Sequence, residues 1–184
     1  MRTAAGGHVG ALYQKRGDED TVVRSRAANP EDAEAIARIY NEGIEDRIAT
    51  FETRPRTAAE IRAWLDDEYP IIVVEEEGVV VSFANTSAYS PRECYAGVAE
   101  FSVYTASEAR GRGAGTLALE SLIAAAERAG FWKLVSRVFV ENEPSRKLLI
   151  SVGFREVGVH EKHARLDGTW RDVVVVERLL PVNL

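Results

Sequence analysis

The sequence predicts an α+β domain of element order βααβββαβαββ, and three observations carry that expectation. Apolar residues recur at helical spacing up to about residue 65, then switch to strand-like runs from Pro70 onward. Caps and turn residues fall between these runs, where element boundaries belong. With 46% hydrophobic and 28% charged residues over 184 positions, the chain has a globular balance and is long enough for a core without disulfides.

Taken in order, residues 1–21 mix glycine, charge and scattered apolar residues with no period and no continuous apolar stretch of the kind a secretory signal needs. They are expected to form a flexible N-terminal extension, either a mobile tail or an arm against a partner subunit, ahead of a single domain over 22–184. Residues 22–26 read as a strand. Asn29 then suits an N-cap, Pro30 a first helical turn, and Glu31 and Asp32 the positive helix end. Ile36, Ile39, Tyr40 and Ile44 continue that helix on one face. Thr57 to Glu60 is a capping box opening a second helix that buries Ile61, Trp64 and Leu65. Residues 49–53 between them read as a loop. Strands are expected over 71–75, 79–87 and 98–104, with a turn at Glu77-Gly78. A glycine-rich turn then leads to a helix ending near Ala129, stopped by Gly130. A strand over 133–139, a helix over 145–152 and strands near 154–161 and 171–180 complete the order.

Charge and composition exclude several classes of function. Lys and Arg total 23 against 29 Asp and Glu, a net charge of −6, which leaves no cationic footprint for general nucleic-acid binding. No run approaches the 18 apolar residues of a membrane span. Three histidines and one cysteine lack zinc-site spacing, so no metal is expected, and the lone Cys94 fits a reducing cytoplasm.

The chemistry concentrates at Arg110-Gly111-Arg112-Gly113-Ala114-Gly115, between a strand and an amphipathic helix. Three glycines in five positions let a ligand approach the backbone, and the helix start offers unpaired N–H groups to an anion. Arg110 and Arg112 add positive charge. A Walker A loop would require Gly-Lys-Ser/Thr, but Thr116-Leu117 follow Gly115; a dinucleotide fingerprint counted from Gly111 meets Thr116 where its last glycine belongs. A plain glycine-rich turn is the alternative that this stretch leaves open on its own.

Arg110, Gly113 and Gly115 in the pattern Arg-x-x-Gly-x-Gly resemble the coenzyme-A loop of the GNAT acetyltransferases. Asn142, Ser145, Leu148 and Gly153-Phe154 resemble that family's second signature. The likeness spans about residues 22–180. It is closest to the phosphinothricin and arsinothricin N-acetyltransferase branch, through Ile39-Tyr40-Asn41, Ala49 to Glu52, Ala99 to Tyr104 and Asp167 to Asp172.

The resemblance implies the GNAT fold, a mixed and mostly antiparallel sheet with flanking helices. It also implies transfer of acetyl from acetyl-CoA to the α-amine of a small amino-acid-like substrate, of phosphinothricin, methionine sulfoximine or arsinothricin type. Glu100 is the implied general base, and partial burial among apolar neighbours would suit it. Its alternative is a strand glutamate facing solvent or paired with an arginine. Main-chain groups of Val103 and Thr105 are implied to pair with the pantetheine arm, and a nearby main-chain N–H to polarise the thioester carbonyl. Arg110, Gly111, Arg112, Gly113, Ala114 and Gly115 are implied to hold the pyrophosphate. Asn142 and Ser145 are implied cofactor contacts, or ordinary caps, or both. Arg92 and Tyr95 are candidate substrate contacts, with Arg92 able to grip an oxyanion or simply to face solvent. His160 and His163, with Lys162, read as surface or rim residues. Leu149 stands where the family places a tyrosine or histidine, which leaves that position without a general acid. A homodimer, a cytoplasmic location and a detoxifying role complete what the resemblance implies. Another amine substrate (a polyamine, an aminoglycoside or a protein N-terminus) and a non-catalytic acetyl-CoA sensor are the alternatives.

Overall fold

The computed structural model describes Leu12–Tyr13 and residues 22–184. The rest of the expected extension over 1–21 lies outside the described residues. Strand β1 (Leu12–Tyr13) pairs antiparallel with β2 (Val23–Ala27) at one edge of the sheet. Asn29 caps as expected, but over a short 3-10 turn at Pro30–Asp32, with Asp32 closing the reciprocal bond; helix α1 (Ala33–Glu45) follows. The capping box at Thr57 opens α2 (Ala58–Leu65).

Strands β3 (Ile71–Glu76), β4 (Val79–Ala88) and β5 (Val98–Thr105) follow antiparallel to one another. Helix α3 (Ala114–Arg128) crosses to β6 (Lys133–Phe139), and α4 (Glu143–Ser151) leads to the hairpin of β7 (Arg155–Leu166) and β8 (Thr169–Leu179). The sheet order is β1-β2-β3-β4-β5-β6-β8-β7, with β5–β6 its parallel pair. Among the described residues, no helix is long and apolar enough to cross a membrane.

The final hairpin is longer than the sequence indicates. Residues 161–165 are largely charged and show no alternation, yet Ala164 pairs with Arg171 and Arg165 with Trp170. The turn between them uses left-handed backbone at Asp167 (φ 49°) and Gly168 (φ 80°).

Side chains alternate across each strand, so the two faces of β5 meet different helices. Tyr104 stands edge-on to Tyr40 of α1, with ring centres 4.9 Å apart. On the opposite face Thr105 lies beside Gly115 of α3. The core is continuous from Ile36 and Ile39 of α1 through Val73, Val74 and Phe83 of the sheet to Leu119 and Leu122 of α3.

One feature of the sheet shapes the site. β5 and β6 pair only at Val98↔Lys133, Ala99↔Leu134 and Glu100↔Val135. Beyond Glu100 the two strands diverge, while β4 stays registered with β5 and β8 with β6.

Candidate active site

A cleft of about 570 Å³ opens at this divergence. Val103, Tyr104 and Thr105 form one wall, Asn142, Pro144, Ser145 and Leu148 the other, and the start of α3 its end. Ala106 donates its N–H to Val81 of β4 at 2.9 Å. By strand alternation, Tyr104 also directs its peptide groups toward β4, and those of Val103 and Thr105 face the cleft.

The end of the cleft is shaped by backbone. Gly111 (φ 75°) and Gly113 (φ 95°) adopt left-handed conformations that let the chain reverse into α3. Gly113 is the N-cap and has no side chain to cap with. The first helical bond runs from Leu117 N–H to Gly113 O at 3.1 Å, so the N–H groups of residues 114–116 have no intrahelical acceptor. Gly115 keeps the passage open: a Cβ there would sit 3.1 Å from Thr105 Oγ1 and 3.3 Å from Leu148 Cδ2.

Arg110 reaches this end of the cleft, where it pairs with Asp46 at 2.6 Å and donates from Nε to Thr105 O at 3.1 Å. Arg112 does not. It pairs with Glu76 of β3 through both terminal nitrogens, at 3.0 and 2.7 Å, and lines a separate small recess. Of the ten residues expected at the cofactor, nine therefore line the cleft and Arg112 is the correction. Its neighbouring glycines turn the chain, and the nearest carboxylate lies behind the loop.

Asn142 has both side-chain groups engaged. Its Oδ1 accepts from Ser145 N–H at 3.2 Å, capping α4, and its Nδ2 donates to Ile48 O at 3.0 Å, binding the 46–49 segment to the cleft wall.

A small lobe continues the cleft along the gap between Phe101, Ser102 and Val103 of β5 and Ser136, Arg137 and Val138 of β6. Glu100, one residue before Phe101 on β5, is half-buried, and its Oε1 accepts from Nη1 of the lobe-lining Arg137 at 2.5 Å. The apolar setting anticipated for Glu100 is thus replaced by a guanidinium, one of the arrangements its sequence context left open. Sequence reading missed Arg137; the signal for it was an arginine in strand alternation, with its partner fixed by the parallel β5–β6 register.

Beside this pair, Phe51 stacks edge-on against Phe139 at 4.6 Å and lies 6.2 Å from the His163 ring, which adjoins His160 at 5.3 Å. Burial, then the charges of His160 and Arg137, hold the His163 pKa below the ordinary histidine range. Tyr104 faces both lobes; burial, then the neighbouring Tyr40, drive its phenol well above the ordinary tyrosine range, so it keeps its proton. Leu149 is a core residue at 1% exposure.

The candidate substrate contacts lie elsewhere. Arg92 and Tyr95 sit in and beside the short turn Glu93–Tyr95, with the Arg92 guanidinium 5.6 Å over the Tyr95 ring. Both are exposed, and neither lines the cleft or its lobe. A groove of about 470 Å³ between α3 and β2–β3 holds none of the anticipated site residues.

Comparison with known proteins places this geometry among relatives. Residues 36–154 match the model of the acetyltransferase (GNAT) family. A phosphinothricin N-acetyltransferase of Streptomyces coelicolor is 32% identical over 165 residues, 86% of this chain and 96% of the relative. An L-methionine sulfoximine/L-methionine sulfone acetyltransferase of Pseudomonas aeruginosa is 29% identical over 157 residues, 83% of this chain and 91% of the relative. The crystal structure of a GNAT superfamily phosphinothricin acetyltransferase from Sinorhizobium meliloti, in complex with acetyl-CoA, superposes with a TM-score of 0.80 at 29% identity. That match covers 86% of this chain and 88% of the other.

Proposed function

The chain belongs to the acetyltransferase (GNAT) family and is an acetyl-CoA-dependent N-acetyltransferase; from that premise we propose that it acetylates the α-amine of a small amino acid of phosphinothricin, methionine sulfoximine or arsinothricin type. One observation supports the reading above others: the cleft has an anion-seeking backbone at one end, and the lobe that continues it between β5 and β6 is lined by Arg137, which pairs with the Glu100 carboxylate.

The residues fit the group they would hold. The peptide N–H groups at 113–116, with Arg110 and the turn at Gly111, would take the pyrophosphate. Val103 and Thr105 would offer the pantetheine arm a strand edge, and Ser145, behind Asn142, would contact it from α4. Bound there, acetyl-CoA supplies an acyl group activated as a thioester. Glu100 takes the proton from the substrate ammonium, a contribution of roughly 10²- to 10⁴-fold. The freed nitrogen lone pair would then form the C–N bond as the C–S bond breaks and its electron pair leaves on sulfur, and the further proton that the nitrogen sheds in becoming an amide would balance the thiolate as free thiol. A thiol of pKa near 8.5 leaves without a dedicated acid, so a core leucine at position 149 is compatible with turnover.

We read the active form as a homodimer in the cytoplasm with a detoxifying role. Half-exposed Val157 and Val159 on edge strand β7, with Ile150 nearby in sequence on α4, support the dimer, and light scattering on the purified protein tests it. Free-thiol release from acetyl-CoA, followed with phosphinothricin, methionine sulfoximine, arsinothricin, a polyamine and an aminoglycoside, tests the substrate. Turnover confined to the cationic amines would replace the amino-acid reading. Glu100→Gln should lower kcat at least a hundredfold with acetyl-CoA binding intact; unchanged kcat would remove Glu100 from the chemistry.

A further inference from the structure

Arg137 presents five N–H donors, and its one side-chain hydrogen bond among the described residues goes to Glu100. The two arginines of the glycine-rich loop are engaged with other carboxylates, Arg110 at the cleft end with Asp46 and Arg112, outside the cleft, with Glu76. Arg137 alone among these three is paired with the proposed base. Its side chain is 37% exposed and lines the inner lobe with Ser102 and Ser136. The sheet face around the pair is polar: Ser87 stands opposite Glu100 and Asn85 opposite Ser102. The Oδ1 of Asn85 is buried without a hydrogen-bond partner among the described residues. A polar floor with an unmatched acceptor suits an ammonium donor, and a guanidinium with spare N–H groups suits a carboxylate.

Resting on the amino-acid reading above, we infer that Arg137 grips the α-carboxylate of the incoming substrate and that this exchange of partners frees Glu100 to receive the ammonium proton. Arg137 turns one terminal nitrogen, Nη1, to Glu100. An α-amino acid brings a second carboxylate, which can occupy the fork in bidentate fashion. Its ammonium group, one carbon away from that carboxylate, then faces the carboxylate that has been released. An amine without a carboxylate has no means of making this exchange, so Arg137 selects the substrate by its carboxylate. This assignment moves the substrate-binding cation from Arg92, on the outer turn, to β6.

The test compares L-methionine sulfoximine with the amine that lacks only its carboxyl group, using wild type, Arg137→Gln and Arg137→Lys. A charge-assisted hydrogen bond pair predicts that Arg137→Gln raises KM for the amino acid about 10- to 100-fold. The decarboxylated amine should change less than threefold, and Arg137→Lys should recover part of the loss for the amino acid. Because the side chain is exposed, the variants should melt with the wild type, which calorimetry verifies. Equal losses for both compounds, or an unchanged KM for the amino acid, would overturn the role of Arg137 while leaving the acetyltransferase reading in place. A wild-type chain that acetylates no α-amino acid overturns the substrate reading and this inference with it.

Discussion

Gly43→Ala sets two effects of opposite sign against each other at the wall of the cleft. Gly43 lies inside α1, is buried, and lines the cleft where α1 meets β5. In an exposed helix, replacing glycine by alanine gains about 1 kcal/mol. Here the new Cβ would stand 2.7 and 2.8 Å from Cδ1 and Cε1 of Tyr104, against an ordinary contact distance of at least 3.4 Å. The ring or the helix must therefore retreat by roughly 0.7 Å, and neither has easy room. Tyr104 is stacked on fully buried Phe83 at 5.4 Å and meets Tyr40 at 4.9 Å. Moving α1 outward would pull Asp46 from Arg110 on the cleft rim. Overpacking of this kind costs about 1–3 kcal/mol. The hemmed-in ring places Gly43→Ala in the upper half, for a net loss of about 1–2 kcal/mol. At about 2–4 °C per kcal/mol for a chain of this length, Tm should fall by about 2–8 °C, and the KM for acetyl-CoA should rise as Tyr104 is pressed toward the cleft. Differential scanning calorimetry and acetyl-CoA saturation curves measure both. Tyr104→Leu should relieve the clash, so that Gly43→Ala costs nothing further in that background. A Gly43→Ala protein more stable than wild type would show that helix propensity wins and that the contact is soft.

Three further outcomes are expected. Gly115→Val should fill the passage between Thr105 and Leu148 and abolish the thermal stabilisation that acetyl-CoA gives the wild type, about 2.7 kcal/mol at a hundred times Kd; a preserved ligand-induced Tm shift would refute it. Arg110→Gln should raise the KM for acetyl-CoA, whereas Arg112→Gln should leave it within twofold and cost at most about 1 kcal/mol, the usual limit for an exposed pair; equal effects on KM would return Arg112 to the cleft. Acid should melt the protein through the Arg26 network. Burial is the largest influence on Asp32 and Glu75 and raises their pKa values. Hydrogen bonds and charge from Arg26, aided by Arg24 at Glu75, outweigh it and hold both carboxyls below their ordinary range. Folded-state values below the unfolded ones stabilise the protein above the ordinary carboxylate pKa near 4, and that stability is lost as pH falls further. The wild-type Tm should drop steeply below pH 4 and Arg26→Gln less so, with parallel slopes as the refuting result.

How much of this the sequence made legible depends on the reach of each interaction. The element order and the glycine-rich loop were readable because helical spacing, capping residues and glycine placement are local signals. Thr57 and Glu60 form their box within one turn, and Gly113 marks the start of α3 by its own backbone. What escaped depends on register between distant segments. Arg137 reaches Glu100 because β5 and β6 run parallel over three residue pairs, a relation across 37 positions. Arg112 faces Glu76, 36 residues earlier, and nothing local distinguishes it from Arg110. Ala164 and Arg165 continue the strand because β8 pairs with them past an irregularity after His160, although the charges of this stretch show no alternation. The substrate end was the least legible part, because Arg92 precedes β5 closely in sequence yet lines neither the cleft nor its lobe.

The three-pair junction between β5 and β6 also has a mechanical meaning. It joins two half-sheets, each braced along its own length by antiparallel neighbours, in the manner of covers on a short spine. Five residues of β5 extend past the spine, about 16 Å at 3.3 Å per residue, so a rotation of only about 5° separates the tips by about 1.4 Å. Stiff plates on a narrow hinge thus convert a slight twist of the fold into roughly one carbon–carbon bond length at the far rim, and the ease with which the pantetheine arm enters between the tips should be governed by the rigidity of residues 98–100.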